Sequence, residues 1–214
     1  MSNSKSFIYQ LQYFSDRFSV YAPDMKGFGD NTGMEKPYSL SDYAVDIINY
    51  CKENNIIHPH VVAHSFGARV AVKIASENPN FFDKIVLTGG AGLKPKRGIK
   101  YYAKKLAFKI GKLFLKREKL YKFYSKDYLA LSPVMRKSFI KIVNEHLDKQ
   151  VEKITNPTLI INGDKDSETP PYTARRFHKK IKNSKLIFIK GASHFAFVDD
   201  PVKFNWEVKE FLLR

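Results

Sequence analysis

The stretch "HVVAHSFGARVAVK", residues 60–73, decides the reading of this chain. Val61, Val62 and Ala63 make a short apolar run that reads as a buried strand. Phe66 to Ala75 has a helix-compatible composition with small residues on one side. Ser65 stands at the junction. A strand that becomes a helix within one or two residues is a tight turn that calls for small neighbours, here Ala63 and Gly67. A serine on such a turn projects its hydroxyl at the top of a sheet, and the following helix offers backbone N–H groups to a developing negative charge.

Outward from this junction, strand and helix patterns alternate. "RFSVYAPD" (17–24) reads as a strand ending in the glycine turn "DMKGFGDN". Ser39 and Asp42 form a capping box ahead of the helix "YAVDIINYCKENN", on which Ala44, Ile47, Ile48 and Cys51 share a core face. Further strands are read at 60–64, in "DKIVLTGG" (83–90), "PTLIINGDKD" (157–166) and "SKLIFIKGASH" (184–194). "PVKFNWEVKEFLLR" (201–214) closes the chain as an amphipathic helix. Apolar strands alternating with helices predict an α/β fold on a mainly parallel sheet.

Residues 93–153 break the rhythm and read as helices only, with Tyr102, Leu106, Ile110, Leu113 and Phe114 spaced for one face. The expected organisation is a first core part at 1–92, a helical cap at 93–153 and a second core part at 154–214. The cap would cover the carboxyl ends of the strands, where ligands bind in open α/β sheets.

A serine is a weak nucleophile until a base takes its proton, and the base needs an acid to hold its tautomer. Both follow in chain order: Asp166 in the turn after one strand and His194 in the turn after the next. Asp164 remains an alternative acid, since turn positions are uncertain by a residue or two. His64 reads as packing or substrate lining. His58 and His60 have ligand-like spacing, but no cluster of further ligands lies near them, so no metal site is expected. No phosphate-binding glycine loop appears, and no cofactor is expected.

Composition bounds the rest. The chain has 214 residues, 43% of them hydrophobic and 14% aromatic, which fits one globular domain with an insertion. A single cysteine, Cys51, excludes an internal disulfide and favours a reducing compartment. Without an apolar leader or a run long enough to span a membrane, a cytoplasmic location is expected. The net charge is +16, with basic residues crowded between Lys94 and Lys122, where Glu118 is the only acid. The excess is lysine rather than arginine, so it reads as a solvated face and not as a nucleic-acid site. The segment "IKYYAKKLAFKIGKLFLKRE" is expected to be a cap helix without stable membrane association.

On these motifs the chain resembles the α/β-hydrolase family from about Phe7 to the C-terminus. "AHSFG" resembles the family's nucleophile elbow with alanine at its first position. "APDMKGFGDN" resembles the turn after its fourth strand, "LIINGDKDSETP" its acid turn and "GASHFAFVDDP" its histidine turn. The resemblance implies Ser65 as nucleophile, His194 as general base and then acid, Asp166 as the orienting acid, and the Phe66 backbone N–H as an oxyanion donor. It implies a serine hydrolase acting on an ester, thioester or related acyl bond of a small molecule. The cap aromatics suggest an apolar acyl pocket, and the lysines could attract an anionic substrate. The alternative is a truncated, weakly active or non-catalytic relative. In the family a further strand, ending in a His-Gly motif, lies between the segment at 17–23 and the strand at 60–64. "MSNSKSF" resembles the loop after it. The expectation is therefore an N-terminally shortened hydrolase, short of one oxyanion donor, in which those two strands either leave a gap or pair directly.

Overall fold

In the computed structural model, residues 3–96, 128–129 and 131–214 are described. Four strands form one parallel sheet in the order β1 (Val61–His64), β2 (Ile85–Thr88), β3 (Thr158–Gly163), β4 (Ser184–Ile189). The helices described are α1 (Ile8–Phe14), α2 (Leu40–Glu53), α3 (Phe66–Glu77), α4 (Pro133–Asn144), α5 (Asp148–Val151), α6 (Pro171–Lys180), α7 (Ala196–Asp199) and α8 (Pro201–Leu213).

Alternation along the strands sorts the core into two layers. Ala63, Ile85, Leu87 and Ile160 pack with α2, α3 and α6 on one face. Val86, Leu159, Ile161 and Ile189 pack with Phe14 of α1, Phe197 of α7 and Phe204 and Val208 of α8 on the other. Strands buried on both faces explain the near-continuous apolar runs of β2 and β3, whose residues are all buried. The capping box forms as expected: the Ser39 N–H donates to Asp42 Oδ2 (2.6 Å), and the Asp42 N–H to Ser39 Oγ (3.3 Å). Cys51 is buried.

The expected strand at 17–24 is not formed. Residues 19–25 are irregular, and Val20 and Tyr21 are exposed. The composition favours a strand, but a strand exists only through a ladder partner, and this segment has none among the described residues. It lies across a cavity from β1 instead. Beyond it, Asp24 organises the chain: its carboxylate accepts from the N–H groups of Ser4 (2.7 Å) and Asp30 (3.1 Å).

Most of the expected cap lies outside the described residues, including the basic segment 99–118 and the aromatics Tyr101, Tyr102, Phe108, Phe114, Tyr121, Phe123 and Tyr124. Of the block 93–153, α4 and α5 are helical as read. Ile142, Leu147, Val151 and Ile154 join the core over α3, and the half-buried Arg69 guanidinium holds the end of α4 by donating to the carbonyls of Ile142 (2.9 Å) and Glu145 (3.0 Å).

Candidate active site

Ser65 occupies the turn between β1 and α3 with φ 49° and ψ −105°. A non-glycine residue at positive φ is strained by about 1–3 kcal/mol and persists only when its surroundings impose it. Here the Ser65 N–H donates to the Thr88 carbonyl (3.0 Å), and its carbonyl accepts from the Ala91 N–H (3.4 Å). The next residue, Phe66, opens α3, and its N–H has no backbone acceptor among the described residues. Gly67 is less constrained than its neighbourhood suggested: a Cβ there would meet only Ala63 Cβ, at 3.9 Å.

The two other expected residues meet at the carboxyl ends of β3 and β4. Asp166 Oδ2 lies 2.9 Å from His194 Nδ1, and both residues are buried. Asp166 Oδ1 accepts from the N–H groups of Glu168 (2.9 Å) and Thr169 (2.8 Å), while Oδ2 also accepts from Thr169 Oγ1 (2.7 Å). Burial pushes the Asp166 carboxyl up, but the bonds from His194 and Thr169 outweigh it and hold the group below the usual aspartate value. It therefore stays ionised beside the imidazole. Asp164, the alternative acid, is exposed and turned elsewhere: its Oδ1 accepts from the Gly191 N–H (2.7 Å), tying the two turns together.

The close approach of these turns rests on two glycines. A Cβ on Gly163 would fall 2.2 Å from the carbonyl oxygens of Ala192 and Ser193, and one on Gly89, at φ 53°, would fall 3.0 Å from the His194 ring. Either side chain would displace the histidine turn. Ser193 steadies that turn from outside, its N–H and hydroxyl both donating to Asp199 Oδ2 at 2.6 Å. The neighbouring Asp200 caps the last helix, accepting from the Lys203 N–H (2.9 Å).

His64 is buried between the two halves of the site. Its Nε2–H donates to the His194 carbonyl (3.0 Å), and its ring centroid lies 4.6 Å from that of His194. Burial and the neighbouring His194 push its pKa down to about 4, so it is neutral near pH 7. Of the two readings left open by the sequence, packing or substrate lining, these contacts fit packing. Sequence reasoning missed Thr169 and Glu168. Thr169 braces Asp166, and the Glu168 carboxylate stands 3.6 Å from His194 Nε2. An acid and a hydroxyl, two and three residues past Asp166 and just before Pro170, were the available signal. Ser65 Oγ makes no hydrogen bond to His194 among the described residues. Such bonds often tighten only when substrate arrives. The two histidines at His58 and His60 are engaged separately, with the Asn80 carbonyl (2.7 Å) and the Asp83 carboxylate (3.3 Å).

Comparison with known proteins agrees with the fold. A putative carbamate hydrolase of Caulobacter sp. (strain K31) is 23% identical over 95% of this chain and 84% of its own length. An AB hydrolase superfamily protein of Bacillus subtilis is 23% identical over 98% and 87%. Among solved structures, an esterase from Exiguobacterium antarcticum superposes with a TM-score of 0.79 at 21% identity, covering 100% of this chain and 88% of the other. A bromoperoxidase from Bacillus anthracis gives 0.79 at 22%, covering 99% and 88%. With the serine aminopeptidase S33 model of hydrolases matching residues 7–201, nearly the whole length, the chain belongs to that family of α/β hydrolases.

Proposed function

We propose that this α/β hydrolase cleaves an ester, thioester or related acyl bond of a small molecule through an acyl-enzyme on Ser65. The observation that carries the reading is the buried Asp166–His194 pair at 2.9 Å, set at the strand ends in the same sheet as the strained Ser65 turn. Asp166 fixes the Nδ1–H tautomer of His194, which leaves Nε2 as the base. Ser65 Oγ attacks the carbonyl carbon as its proton passes to Nε2, and the Phe66 N–H donates to the resulting oxyanion. Collapse expels the alcohol or thiol, which takes the proton from Nε2. A water then attacks the acyl-Ser65 carbonyl with His194 again as base. The carboxylic acid leaves and Ser65 is restored. The esterase and the carbamate hydrolase among the similar proteins support acyl chemistry.

The test is labelling with a fluorophosphonate probe, mapped by mass spectrometry, beside turnover of p-nitrophenyl esters of graded acyl length. Label on Ser65, and turnover lowered by on the order of 10⁶ in Ser65→Ala, is the expected result. Turnover that survives the substitution would overturn the assignment.

A further inference from the structure

Glu168 is the charged group at the site that the proposed reaction leaves unused. Its Oε2 lies 3.6 Å from His194 Nε2, while Asp166 engages the other ring nitrogen, Nδ1. The Glu168 side chain is 66% exposed, whereas that of Asp166 is fully buried. The remaining titratable neighbour of the ring, His64, is neutral near pH 7 and donates to the His194 carbonyl. Among the described residues no lysine or arginine pairs with Glu168. Lys96, before the start of the undescribed segment, lies over the Tyr172 ring instead (5.7 Å).

The turn that builds the acid also fixes this glutamate. Its N–H donates to Asp166 Oδ1 (2.9 Å), Thr169 bonds both Asp166 oxygens, and Pro170 and Pro171 follow, the second opening α6. The Glu168 backbone is thus held by the same carboxylate that holds His194, and only its side chain is free to turn. In the tautomer that Asp166 sets, Nε2 carries no proton. Two acceptors then face one another at 3.6 Å, a disposition that a cation beside them relieves.

The position of that carboxylate relative to the reaction follows from the role of Nε2, the atom that returns the proton to the leaving group. The leaving oxygen or sulfur must come within hydrogen-bond reach of Nε2, roughly 3 Å. The Glu168 carboxylate therefore stands on the leaving-group side, no more than roughly 7 Å from the departing atom. An ammonium two carbons beyond an ester oxygen lies roughly 3–4 Å from that oxygen at ordinary bond lengths, so it reaches the carboxylate without strain.

We propose that Glu168 is a specificity-determining residue of the leaving-group subsite, selecting esters and thioesters whose departing alcohol or thiol carries a cationic amine two or three carbons from the scissile bond. The assignment rests on the acyl-transfer reading of Ser65 and His194 and narrows its substrate class. An anionic leaving group is repelled by the same carboxylate. Exposed charge pairs are screened and weak, so the discrimination expected is about fivefold in kcat/KM. It shrinks as salt rises, because the Debye length falls from about 10 Å at 0.1 M to about 3 Å at 1 M.

The test compares the acetyl thioesters of 2-(trimethylammonio)ethanethiol, its neutral isostere 3,3-dimethylbutane-1-thiol, and the anionic 2-mercaptoethanesulfonate. At about 0.1 M salt the native chain should favour the cationic thioester over the neutral one by about fivefold in kcat/KM, with the anionic one last. Glu168→Gln should bring the cationic-to-neutral ratio to about one, and Glu168→Lys should invert the order. An equal ratio in the native chain and in Glu168→Gln, or a native preference for the anionic thioester, would overturn the inference. Choline titrated into Ser65→Ala at constant ionic strength, read from the His194 ring signals by NMR, probes the subsite without turnover. Those signals should shift saturably in Ser65→Ala and stay unmoved when Glu168→Gln is added. If no thioester is cleaved while the shift is seen, the acyl-transfer reading fails and the cationic subsite stands. If the shift is absent, or persists without Glu168, the subsite fails whatever the turnover.

Discussion

The carboxyl ends of β3 and β4 and the outer edge of β1 belong to one sheet but are built to different standards. β3 and β4 pair over six residues each, and two glycines let the turns that follow them approach to contact. Inside that contact every oxygen of the Asp166 carboxylate is bonded. β1 pairs over four residues on one side, and on the other its alternate backbone groups face a cavity. The nucleophile candidate is attached to the looser region and the buried Asp166–His194 pair to the tighter one. In the proposed reaction the strained Ser65 would be held at the end of a strand that, among the described residues, pairs on one side only.

The largest effect is expected where the tight region does its work. Asp166→Asn keeps the shape of the carboxylate but presents the wrong tautomer partner to His194, and should lower ester turnover by about 10⁴. Asp164→Asn, whose partner is the Gly191 N–H rather than His194, should change it by less than about tenfold. Comparable losses from the two substitutions, measured on the same ester, would erase the distinction between the two turns.

An intermediate effect is expected at His64, which joins the two regions. Its folded-state pKa of about 4 lies below the ordinary histidine value of 6.5. As pH falls, the unfolded chain therefore takes up the proton first. The contribution is whole above pH 6.5 and is lost as pH falls to about 4, amounting to about 3 kcal/mol. Urea midpoints across that window should slope steeply in the native protein and less in His64→Gln. Parallel slopes would show that His64 is not held neutral between β1 and the His194 turn.

The smallest effect is expected on the far wall of the cavity. Val20 is exposed and outside any ladder, so Val20→Ala should change stability by no more than about 0.5 kcal/mol. Truncating a buried aliphatic residue such as Ile161 to alanine costs about 2–5 kcal/mol. If Val20→Ala approached that range in chemical denaturation, the segment would be packed as a strand after all.

The reading of "RFSVYAPD" as a strand failed for a physical reason that also bears on the site. Phe18, Val20 and Tyr21 carry high β propensity, but propensity measures the fit of a residue to a ladder that other parts of the chain must supply. In β2 and β3 the ladder exists on both sides and the same kind of sequence forms strand. The choice of Asp166 over Asp164 was similarly beyond reach of spacing. Both lie in one turn, and only the approach of the histidine turn, enabled by Gly89 and Gly163, decides which carboxylate meets the imidazole.

The sequence by itself determined the α/β alternation, the capped start of α2, the buried place of Cys51, the serine turn after β1, and the order in which a serine, an acid and a histidine follow successive strands. Each of these is set within a few residues by periodicity, capping or turn chemistry. Only the tertiary structure decided that Thr169 and Glu168 flank the Asp166–His194 pair, that His64 bonds to the His194 carbonyl across 130 positions of chain, and that β1 is the outermost of the four described strands. These depend on which segments are brought side by side. A backbone hydrogen bond or a buried contact between distant segments has no signature in either segment alone.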